Sequence, residues 1–472
     1  MEMISRRDFL RLAGIAPIAA AGCIAAQDQP KHAEGTSRAT RRPNILILLA
    51  DDQRHSTLGC LGYPVKTPNL DALAARGTIF TRAHIMGGMQ GAICIPSRAM
   101  LLTGRTLFHL QEDGWQIPKT DRFLGQTLGK TGYDTFGVGK WHSEPAEYNR
   151  AFAGGSKIFF GGMTDQFKVP VQEYDPKGKY PQDRQTIAEK PSSELFAEAA
   201  IDYLRGRKSD KPFFLYVAFT SPHDPRTAPP EYARLYPPES IELPPNFLPQ
   251  HPFDNGDLKL RDERLASFPR DPSDIRRQIG EYYAMITHLD AQVGRILKTL
   301  DETGRTGDTI VIFAGDNGLA LGQHGLMGKQ SLYEHSVRVP LMMAGPGIPA
   351  GQKRDGFCYL LDLYPTLCDL VGTPAPATAE GVSMVPMLAD PNAKARDTIF
   401  YAYRNLMRGF CDGRYKLIEY TVNSERHTQL FDLQADPWET TNLADSPDFK
   451  SHRDRLVELL QSARKTYDDP AI

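Results

Sequence analysis

Three continuous apolar runs, each ending abruptly in polar residues, constrain the fold of this chain more than any other feature. They cover residues 44–50, 213–219 and 309–314, and none alternates as a strand with one solvated face would. Continuous runs of this kind are typical of strands buried on both faces of a parallel sheet. Apolar stripes at helical spacing lie between them, at residues 195–204 and 289–300. Strands that alternate with helices predict an α/β fold.

The polar residues that follow the three runs are of titratable or metal-binding type. They are Asp51 and Asp52 after the first run, His223 and Asp224 after the second, and Asp316 and Asn317 after the third. In open parallel sheets, ligands bind beyond the carboxyl ends of the strands. We therefore expect these side chains to meet at one edge of the sheet, although they are far apart in the chain.

The two acidic pairs are candidate metal ligands. Asp51 and Asp52, with Asp316 and Asn317, offer four hard oxygen ligands, and clustered carboxylates are neutralised well by a calcium-sized cation. For either pair alone, an Asx turn or a helix cap is the favoured interpretation. Their shared position after a strand favours a metal site, but spacing alone does not name the metal.

Charge and composition exclude several classes of function. The chain has 55 lysine and arginine residues against 57 aspartate and glutamate residues, a net charge of −2, so we expect no nucleic-acid partner and no electrostatic membrane binding. Hydrophobic residues at 41% and charged residues at 24% are globular values, which argues against disorder. No stretch has the length and apolar character of a transmembrane helix.

Residues 1–27 have the pattern of an export signal. Arg6 and Arg7 precede an apolar run of small residues, 12–21, which is too short to span a bilayer comfortably. Paired arginines resemble a bacterial twin-arginine signal, which predicts a periplasmic or secreted protein and the twin-arginine export machinery as a partner. A basic N-terminus without an export role is the alternative. Residues 28–42 are polar and predict a tether.

The six cysteines do not suggest a disulfide framework. Cys23, at the end of the apolar run, is a candidate lipoprotein cysteine, but Ala20 rather than leucine stands three positions before it. Loss or lipidation of Cys23 leaves an odd number, so at least one cysteine should be unpaired. Cys94 precedes Pro96, which suits the first turn of a helix, where an anionic cysteine would be stabilised. A small buried cysteine is the alternative.

The pattern changes along the second half of the chain. Residues 225–274 are rich in proline and charge and predict a long insertion near the mouth of the site. Short strand-like runs and a closing helix follow, at residues 398–403, 415–420, 429–433 and 451–467. We therefore predict a main domain over residues 43–390 and a C-terminal subdomain with a small antiparallel sheet over residues 391–472.

Several motifs in order resemble those of the formylglycine-dependent sulfatases, a type I, arylsulfatase-like family. Residues 94–98 read Cys-Ile-Pro-Ser-Arg and are followed by Leu-x-Thr-Gly-Arg, the signature of that family. The other matching segments are Asp51-Asp52, Gly-Lys-Trp-His at 139–142, Ser-Pro-His-Asp-Pro at 221–225, Gly-Asp-Asn-Gly at 315–318, Gly-Lys at 328–329 and Leu-Phe-Asp-Leu at 430–433. The resemblance implies an alkaline-phosphatase-like α/β fold, with a mostly parallel sheet flanked by helices.

The resemblance also implies a sulfuric ester hydrolase and a role for each residue of the motifs. Cys94 would be oxidised by a maturation enzyme to formylglycine, whose hydrate attacks sulfur. A calcium ion would be held by Asp51, Asp52, Asp316, Asn317 and the modified Cys94. The remaining roles are hydrate binding by Arg98 and Lys140, proton removal by His142, general acid catalysis by His223 and binding of sulfate oxygens by Lys329.

The substrate is implied only by analogy, as a sulfated carbohydrate or an aryl sulfate. Asp224, Arg226 and the 225–274 insertion are candidates for contacting the group that carries the sulfate. Arg226 could pair with a uronate or a second sulfate, or could equally be a solvated loop charge. One alternative function is a phosphonate monoester hydrolase or phosphodiesterase of the same superfamily, and another is a non-catalytic sulfoglycan-binding protein. The presence of every basic group favours sulfate hydrolysis.

Overall fold

The three apolar runs form neighbouring central strands in the computed structural model of the protein, which describes residues 42–471. In chain order the strands are β1 (Asn44–Ala50), β2 (Gly77–Phe80), β3 (Ala83–His84), β4 (Gly87–Gly88), β5 (Asp134–Lys140), β6 (Gly154–Phe159), β7 (Val169–Val171), β8 (Thr186–Ala188), β9 (Phe213–Ala218), β10 (Thr309–Gly315), β11 (Leu341–Ala344), β12 (Gln352–Arg354), β13 (Cys358–Tyr359), β14 (Ile399–Tyr403), β15 (Met407–Cys411), β16 (Tyr415–Val422) and β17 (Glu425–Asp432). The α-helices are α1 (Pro68–Ala75), α2 (Cys94–Thr103), α3 (Leu124–Lys130), α4 (Pro145–Ala151), α5 (Ser192–Gly206), α6 (Pro230–Ala233), α7 (Pro272–Glu302), α8 (Glu334–Val337), α9 (Leu363–Leu370), α10 (Val385–Ala389) and α11 (Lys450–Thr466).

The main sheet has eight strands in the order β12-β2-β11-β10-β1-β9-β5-β6. Each neighbouring pair is parallel except those that involve β11, which runs antiparallel to both β10 and β2. The predicted mostly parallel sheet is therefore confirmed. Every residue of β1, β9 and β10 is buried, as expected for central strands covered on both faces.

Alternate residues of β1 pack into two separate hydrophobic layers. Leu46 and Leu48 belong to a cluster with apolar residues of α5 and α7, whereas Ile45 and Ile47 belong to a cluster with those of α2, α3 and α9. The sheet thus lies between two helical layers, and its continuous apolar strands follow from that arrangement.

The strand register brings the acidic pairs together at one edge of the sheet. Ala50, the last residue of β1, lies opposite Gly315, the last residue of β10, so Asp51 and Asp316 leave their strands at the same level. On the other side of β1, Leu49 lies opposite Ala218 of β9. The expected convergence of strand ends follows directly from this alignment.

A second sheet, ordered β17-β16-β15-β14-β4, forms the C-terminal part. Strands β14 to β17 are antiparallel, and β4 pairs in parallel with β14 through Ala402 and Gly87. The predicted antiparallel sheet and closing helix are present, but strands β15 and β4 were not predicted from the sequence pattern. Leu417 of this sheet belongs to the same hydrophobic cluster as Ile47 of the main sheet. The boundary at residue 390 stays a prediction.

Several sequence expectations concern segments away from the sheets. The predicted export signal, Cys23 and all of the tether except Arg42 lie outside the described residues. Within residues 42–471, no helix has the length and apolar character needed to cross a membrane. The five cysteines of that part are all free, which confirms the expectation of unpaired cysteine.

Candidate active site

Oxygen ligands from two strand ends converge on the sulfur of Cys94. Its Sγ lies 3.2 Å from Oδ1 of Asp51, 3.4 Å from Oδ1 of Asp52 and 3.3 Å from Oδ1 of Asn317. One thiol carries one hydrogen and cannot donate to three oxygens. The cluster therefore has the character of a ligand set for a cation, and Asp51, Asp52, Asp316 and Cys94 each offer a ligand atom within 4.8 Å of the others.

Asp316 is held from two sides. Nε of Arg98 lies 2.8 Å from Oδ2 of Asp316, and the backbone amide of Asp52 donates to its Oδ1 at 2.9 Å. Burial raises the pKa of Asp316 to about 6, the charges of Asp51 and Asp52 add to this rise, and Arg98 opposes it. A carboxyl group in this state gains from a further positive charge.

Cys94 is the first residue of α2 and is only 1% exposed. Burial raises the pKa of its thiol well above the usual value, and the charges of Asp316 and Asp51 raise it further. The expectation that the helix N-terminus stabilises an anionic cysteine is therefore wrong, because burial and neighbouring carboxylates outweigh the helix dipole. The unmodified thiol is protonated at neutral pH.

Three buried cations balance the three carboxylates. Nζ of Lys140, at the end of β5, lies 2.6 Å from Oδ2 of Asp51. Nζ of Lys329 lies 2.7 Å and 3.0 Å from the two oxygens of Asp52 and 3.1 Å from Sγ of Cys94. Burial alone would lower the pKa of Lys329, but Asp52 raises it well above the usual value, so this lysine is charged.

His223 follows β9 and presents one ring nitrogen to the site. Its Nδ1 lies 2.8 Å from the backbone oxygen of Asp224, which only accepts, so Nδ1 carries a hydrogen. Its Nε2 lies 3.6 Å from Oδ2 of Asp52. The side-chain amide of Gln166 donates to the backbone oxygen of His223 at 2.8 Å and fixes this loop.

His142 lies on the open side of the site, where it lines a cavity that is described below. Its backbone has a positive φ of 57°, and its buried Nδ1 has no hydrogen-bond partner among the described residues. Burial lowers the pKa of His142 well below the usual value, and the charge of Lys140 lowers it further, so the ring is neutral. Gly162 faces this ring, since a Cβ at that position would lie 2.4 Å from Nε2 of His142.

The cluster opens into a cavity of about 270 Å³. Its walls are formed by Gly91, Ala92, His142, Gly162, Met163, His223, Leu260, Arg261, Asp262, Lys329 and Gln330. The two histidines and Lys329 thus connect the buried charges with the space available to a substrate. The site can bind a small anion and part of the group that carries it.

The two predicted substrate-binding residues lie behind this wall. Asp224 is 3% exposed, and its carboxylate is bound by the guanidinium of Arg261. Arg226 is buried, not solvated, and its Nη1 donates to Oε1 of Gln278 at 2.7 Å. Arg261, whose side chain is 47% exposed, lines the cavity instead and belongs to the 225–274 insertion.

Some functional neighbours carry no signal in the sequence. Tyr282, within α7, donates from its hydroxyl to the backbone oxygen of Asp52 at 2.7 Å and accepts from the amide of Arg54 at 3.0 Å. It therefore holds the turn that presents Asp52, whose φ is 66°. In the sequence, Tyr282 cannot be told from a core tyrosine of an amphipathic helix.

Two family models match the chain. The sulfatase model matches residues 43–373, and the model of the C-terminal part of N-sulphoglucosamine sulphohydrolase matches residues 322–466. A protein named sulfatase from Formosa agariphila is 29% identical over 460 residues, which cover 90% of this chain and 88% of the relative. Iduronate 2-sulfatase of Mus musculus is 33% identical over 419 residues, which cover 75% and 72% of the two chains.

Solved structures share the same fold. One, a complex with its substrate D-glucosamine-2-N,6-O-disulfate, has a TM-score of 0.76 at 24% identity and covers 91% of this chain and 99% of its own. The phosphonate monoester hydrolase of Agrobacterium radiobacter has a TM-score of 0.72 at 24% identity and covers 90% and 96%. The predicted family, fold class and enzyme class are confirmed by these matches taken together. The sulfatase family model matches most of the length of this chain. The chain therefore belongs to the sulfatase family, whose members hydrolyse sulfate esters.

Proposed function

We propose that the protein hydrolyses a sulfate monoester on a sulfated carbohydrate. The reaction would use formylglycine at position 94 as the nucleophile and a calcium ion as the metal cofactor. The observation that carries this proposal is the convergence of side-chain oxygens and Lys329 on Sγ of Cys94. Sulfate ester cleavage needs a nucleophile at one point, with positive charge around it and a proton donor beside the leaving oxygen. Lys329 and the two histidines line the cavity described above, and Sγ of Cys94 lies 3.1 Å from Nζ of Lys329.

The donor set fits calcium in the type of its ligand atoms. Asp51, Asp52, Asp316 and Asn317 present hard oxygen atoms, as calcium prefers. When bound, the ion would supply positive charge for orienting sulfate oxygens. The three carboxylates and the three cations already balance, so a divalent cation makes the site net positive. A net positive site attracts a sulfate monoester.

The cysteine itself is a poor nucleophile in this setting. A buried thiol whose pKa is raised carries little thiolate at neutral pH. Oxidation of Cys94 to formylglycine by a maturation enzyme supplies an aldehyde hydrate, whose hydroxyl replaces the thiol as the attacking group. Lys329, Lys140 and Arg98 lie around this position and would bind the oxygens of the hydrate and the sulfate.

The two histidines offer ring nitrogens for different proton transfers. His142 is neutral, because burial and Lys140 lower its pKa, so it accepts a proton from the hydrate. His223 uses Nδ1–H to bind the backbone oxygen of Asp224, so Nε2 is the atom left to carry a proton to the leaving oxygen. Both rings line the cavity, which supports their proposed roles as base and acid toward one bound group.

The carbohydrate assignment rests on the relatives and on the cavity wall. One relative is named for the 2-sulfate of iduronate, and one solved structure is a complex with a disulfated glucosamine as its substrate. Arg261 and Asp262 offer this protein a charged, hydrogen-bonding wall for the sugar hydroxyls.

Export and maturation complete the proposal. The twin-arginine pattern at Arg6 and Arg7 supports a periplasmic or secreted enzyme exported already folded. Oxidation of Cys94 would then precede export, because the side chain is buried in the finished fold. Exported protein that mostly carries unmodified Cys94 would contradict this order.

Phosphonate ester hydrolysis is the second candidate. It is favoured by the likeness to the phosphonate monoester hydrolase, whose chain is covered almost completely. The same nucleophile and cations would serve either ester, so the two functions differ only in the preferred substrate.

One experiment tests both the modification and the substrate. Protein is produced with a maturation enzyme, and the tryptic peptide of residues 83–98 is weighed; we expect a loss of about 18 Da at Cys94, trapped by a hydrazine reagent. The kcat/KM for 4-nitrophenyl sulfate is then compared with that for a 4-nitrophenyl phosphonate monoester. An unmodified thiol would overturn the mechanism, and a preference for the phosphonate would favour the second candidate.

A further inference from the structure

A second cavity, of about 100 Å³, lies beside the loop that follows the first metal pair. It shares no lining residue with the cavity of about 270 Å³ that is lined by His142, His223 and Lys329, which is called the catalytic cavity below. Its lining includes two partly exposed aromatic residues, Tyr63 and Trp438, and a set of buried polar side chains. Nothing in the proposed reaction uses this space.

Three buried polar groups of this cavity lack a partner within residues 42–471. They are Oδ1 of Asn246, Nε2 of Gln323 and Nδ1 of His335, on residues that are 5%, 3% and 4% exposed. Buried polar atoms in native proteins almost always have a partner, so these three atoms call for a hydrogen-bonding occupant, which is water when nothing larger is bound.

The hydrogen bonds fix which amide atoms are free. Nδ2 of Asn246 donates to the backbone oxygen of Trp438 at 2.8 Å, and its second hydrogen is shared between Oε1 of Gln323 at 3.1 Å and Nε2 of His324 at 3.0 Å. Because the backbone oxygen only accepts, the free atom of Asn246 is an acceptor and that of Gln323 is a donor. The occupant must therefore both donate and accept hydrogen bonds, as a hydroxyl group does.

The charges around the cavity nearly cancel. Glu334, Glu439 and Arg338 belong to its lining, and Nη1 of Arg338 lies 3.5 Å from Oε2 of Glu334. Nζ of Lys416 lies 2.9 Å from a carboxylate oxygen of each glutamate. Burial lowers the pKa of His335 well below the usual value, so this ring adds no charge. Burial raises the pKa of Glu439 to about 7, so its charge is only partial at neutral pH; the two acidic groups and the two cations then nearly balance, and the cavity favours an uncharged occupant over a bare cation.

We propose that this cavity binds a neutral sugar unit of a carbohydrate chain, apart from the position where sulfate is removed. Hydroxyl groups satisfy the free atoms of Asn246, Gln323 and His335. The apolar C–H face of a pyranose ring packs on aromatic side chains such as Tyr63 and Trp438. The small volume admits the hydroxyl edge of the ring while its face lies against the aromatic residues.

The test is ligand-observed saturation-transfer NMR with methyl β-D-glucopyranoside, methyl β-D-galactopyranoside and methyl 2-acetamido-2-deoxy-β-D-glucopyranoside. We expect saturable transfer to at least one of them below about 50 mM, the weak range typical of a single sugar. Trp438→Ala and Gln323→Leu should each weaken binding about tenfold, because they remove the stacking face and the amide donor. Arg261→Ala, in the catalytic cavity, serves as the control and should leave this binding unchanged.

The melting temperature shows whether each variant is folded and should stay close to wild type, and turnover of 4-nitrophenyl sulfate by Trp438→Ala and Gln323→Leu should also stay close to wild type. Absence of saturable transfer for all three sugars would mean that the cavity holds only water and would overturn the proposal. Equal binding by folded Trp438→Ala and Gln323→Leu would overturn it as well. Since the readout is binding of unsulfated sugars, it is independent of whether the enzyme cleaves sulfate esters.

Discussion

Two clusters of buried charge in this protein use similar side chains for different ends. The catalytic cluster consists of Asp51, Asp52, Asp316, Arg98, Lys140 and Lys329. The Lys416 cluster consists of Lys416, Glu334 and Glu439, and it joins β16 to α8. Both are almost fully buried, and both bring carboxylates within hydrogen-bond distance of cations.

The difference lies in where the carboxylate oxygens point. In the catalytic cluster, Asp51 and Asp52 each keep an oxygen directed at position 94, beside a cavity. In the Lys416 cluster, the amine contacts both glutamates, and the amide of Glu334 donates to Oε2 of Glu439 at 2.8 Å. Buried charge alone therefore does not mark an active site; convergence on a single reactive position does.

Removal of the nucleophile should have the largest effect. Cys94→Ala should lower kcat for 4-nitrophenyl sulfate by about 10⁴-fold or more, as expected when a nucleophile is lost. Its stability to urea should change little. The control is Cys60→Ala, which changes a half-buried cysteine away from the cavity and should keep full activity. Substantial turnover by Cys94→Ala would show that the catalytic cluster works without position 94.

Loss of the central lysine should show that the second cluster is structural. Lys416→Met leaves Glu334 and Glu439 buried without their cation and should lower the free energy of unfolding by about 3–5 kcal/mol in urea denaturation. Burial raises the pKa of Glu439 to about 7, although Lys416 opposes this, so the further change Glu439→Gln should recover part of the loss. Lys298→Met, at a side chain 78% exposed, should have almost no effect.

Calcium should separate the two clusters. At a free concentration of about 100 Kd, calcium should raise the free energy of unfolding by about 2.7 kcal/mol, and a chelator should reverse the gain. Asp316→Asn should weaken this response, because it removes a ligand charge, whereas Glu439→Gln should leave it intact. If the stabilisation by calcium disappeared in Glu439→Gln, the ion would bind at the Lys416 cluster, and the proposed difference between the two clusters would be wrong.

Acid should cause the smallest change, near the Lys416 cluster. His251 packs 6.1 Å from the ring of Tyr333, which precedes Glu334, and burial lowers its pKa to about 4. In the unfolded chain this histidine binds a proton below about pH 6.5, but in the folded protein only below about pH 4. Stability should therefore fall as the pH drops from 6.5 to 4, with His251 contributing about 2–3 kcal/mol.

Urea denaturation of His251→Gln at both ends of this pH range should show a loss of unfolding free energy that is smaller than that of the wild type by this amount. Glu425, whose side chain is 81% exposed, supplies a control through Glu425→Gln, which should leave the pH dependence almost unchanged. An unchanged slope in His251→Gln would mean that this ring takes up its proton without opening the fold.

The strand ends of the catalytic cluster could be predicted because their physical cause is local. A continuous apolar run marks a central parallel strand, and parallel strands end together, which brings Asp51 and Asp316 to one level. Strand β5, which delivers Lys140, contains two glycines and gave no such signal, so Lys140 was identified only through the family motif.

The cavity wall depends on contacts that no local pattern contains. Arg261 lies in a proline-rich insertion without periodicity, and its position follows from its ion pair with Asp224, 37 positions earlier in the chain, just before the start of that insertion. Strand β15 carries an arginine and a glycine among its five residues, which hides it from a pattern of alternation. Such features arise from tertiary packing, which overrides the propensity of single segments.

The pairing of β4 with β14 has a consequence for the order of synthesis. Gly87 and Gly88 come shortly before Cys94, whereas their partner residues in β14 leave the ribosome more than three hundred residues later. The segment that leads into Cys94 thus has no sheet to join while most of the chain is being made. A modifying enzyme gains a period of access to a cysteine that the completed protein leaves only 1% exposed.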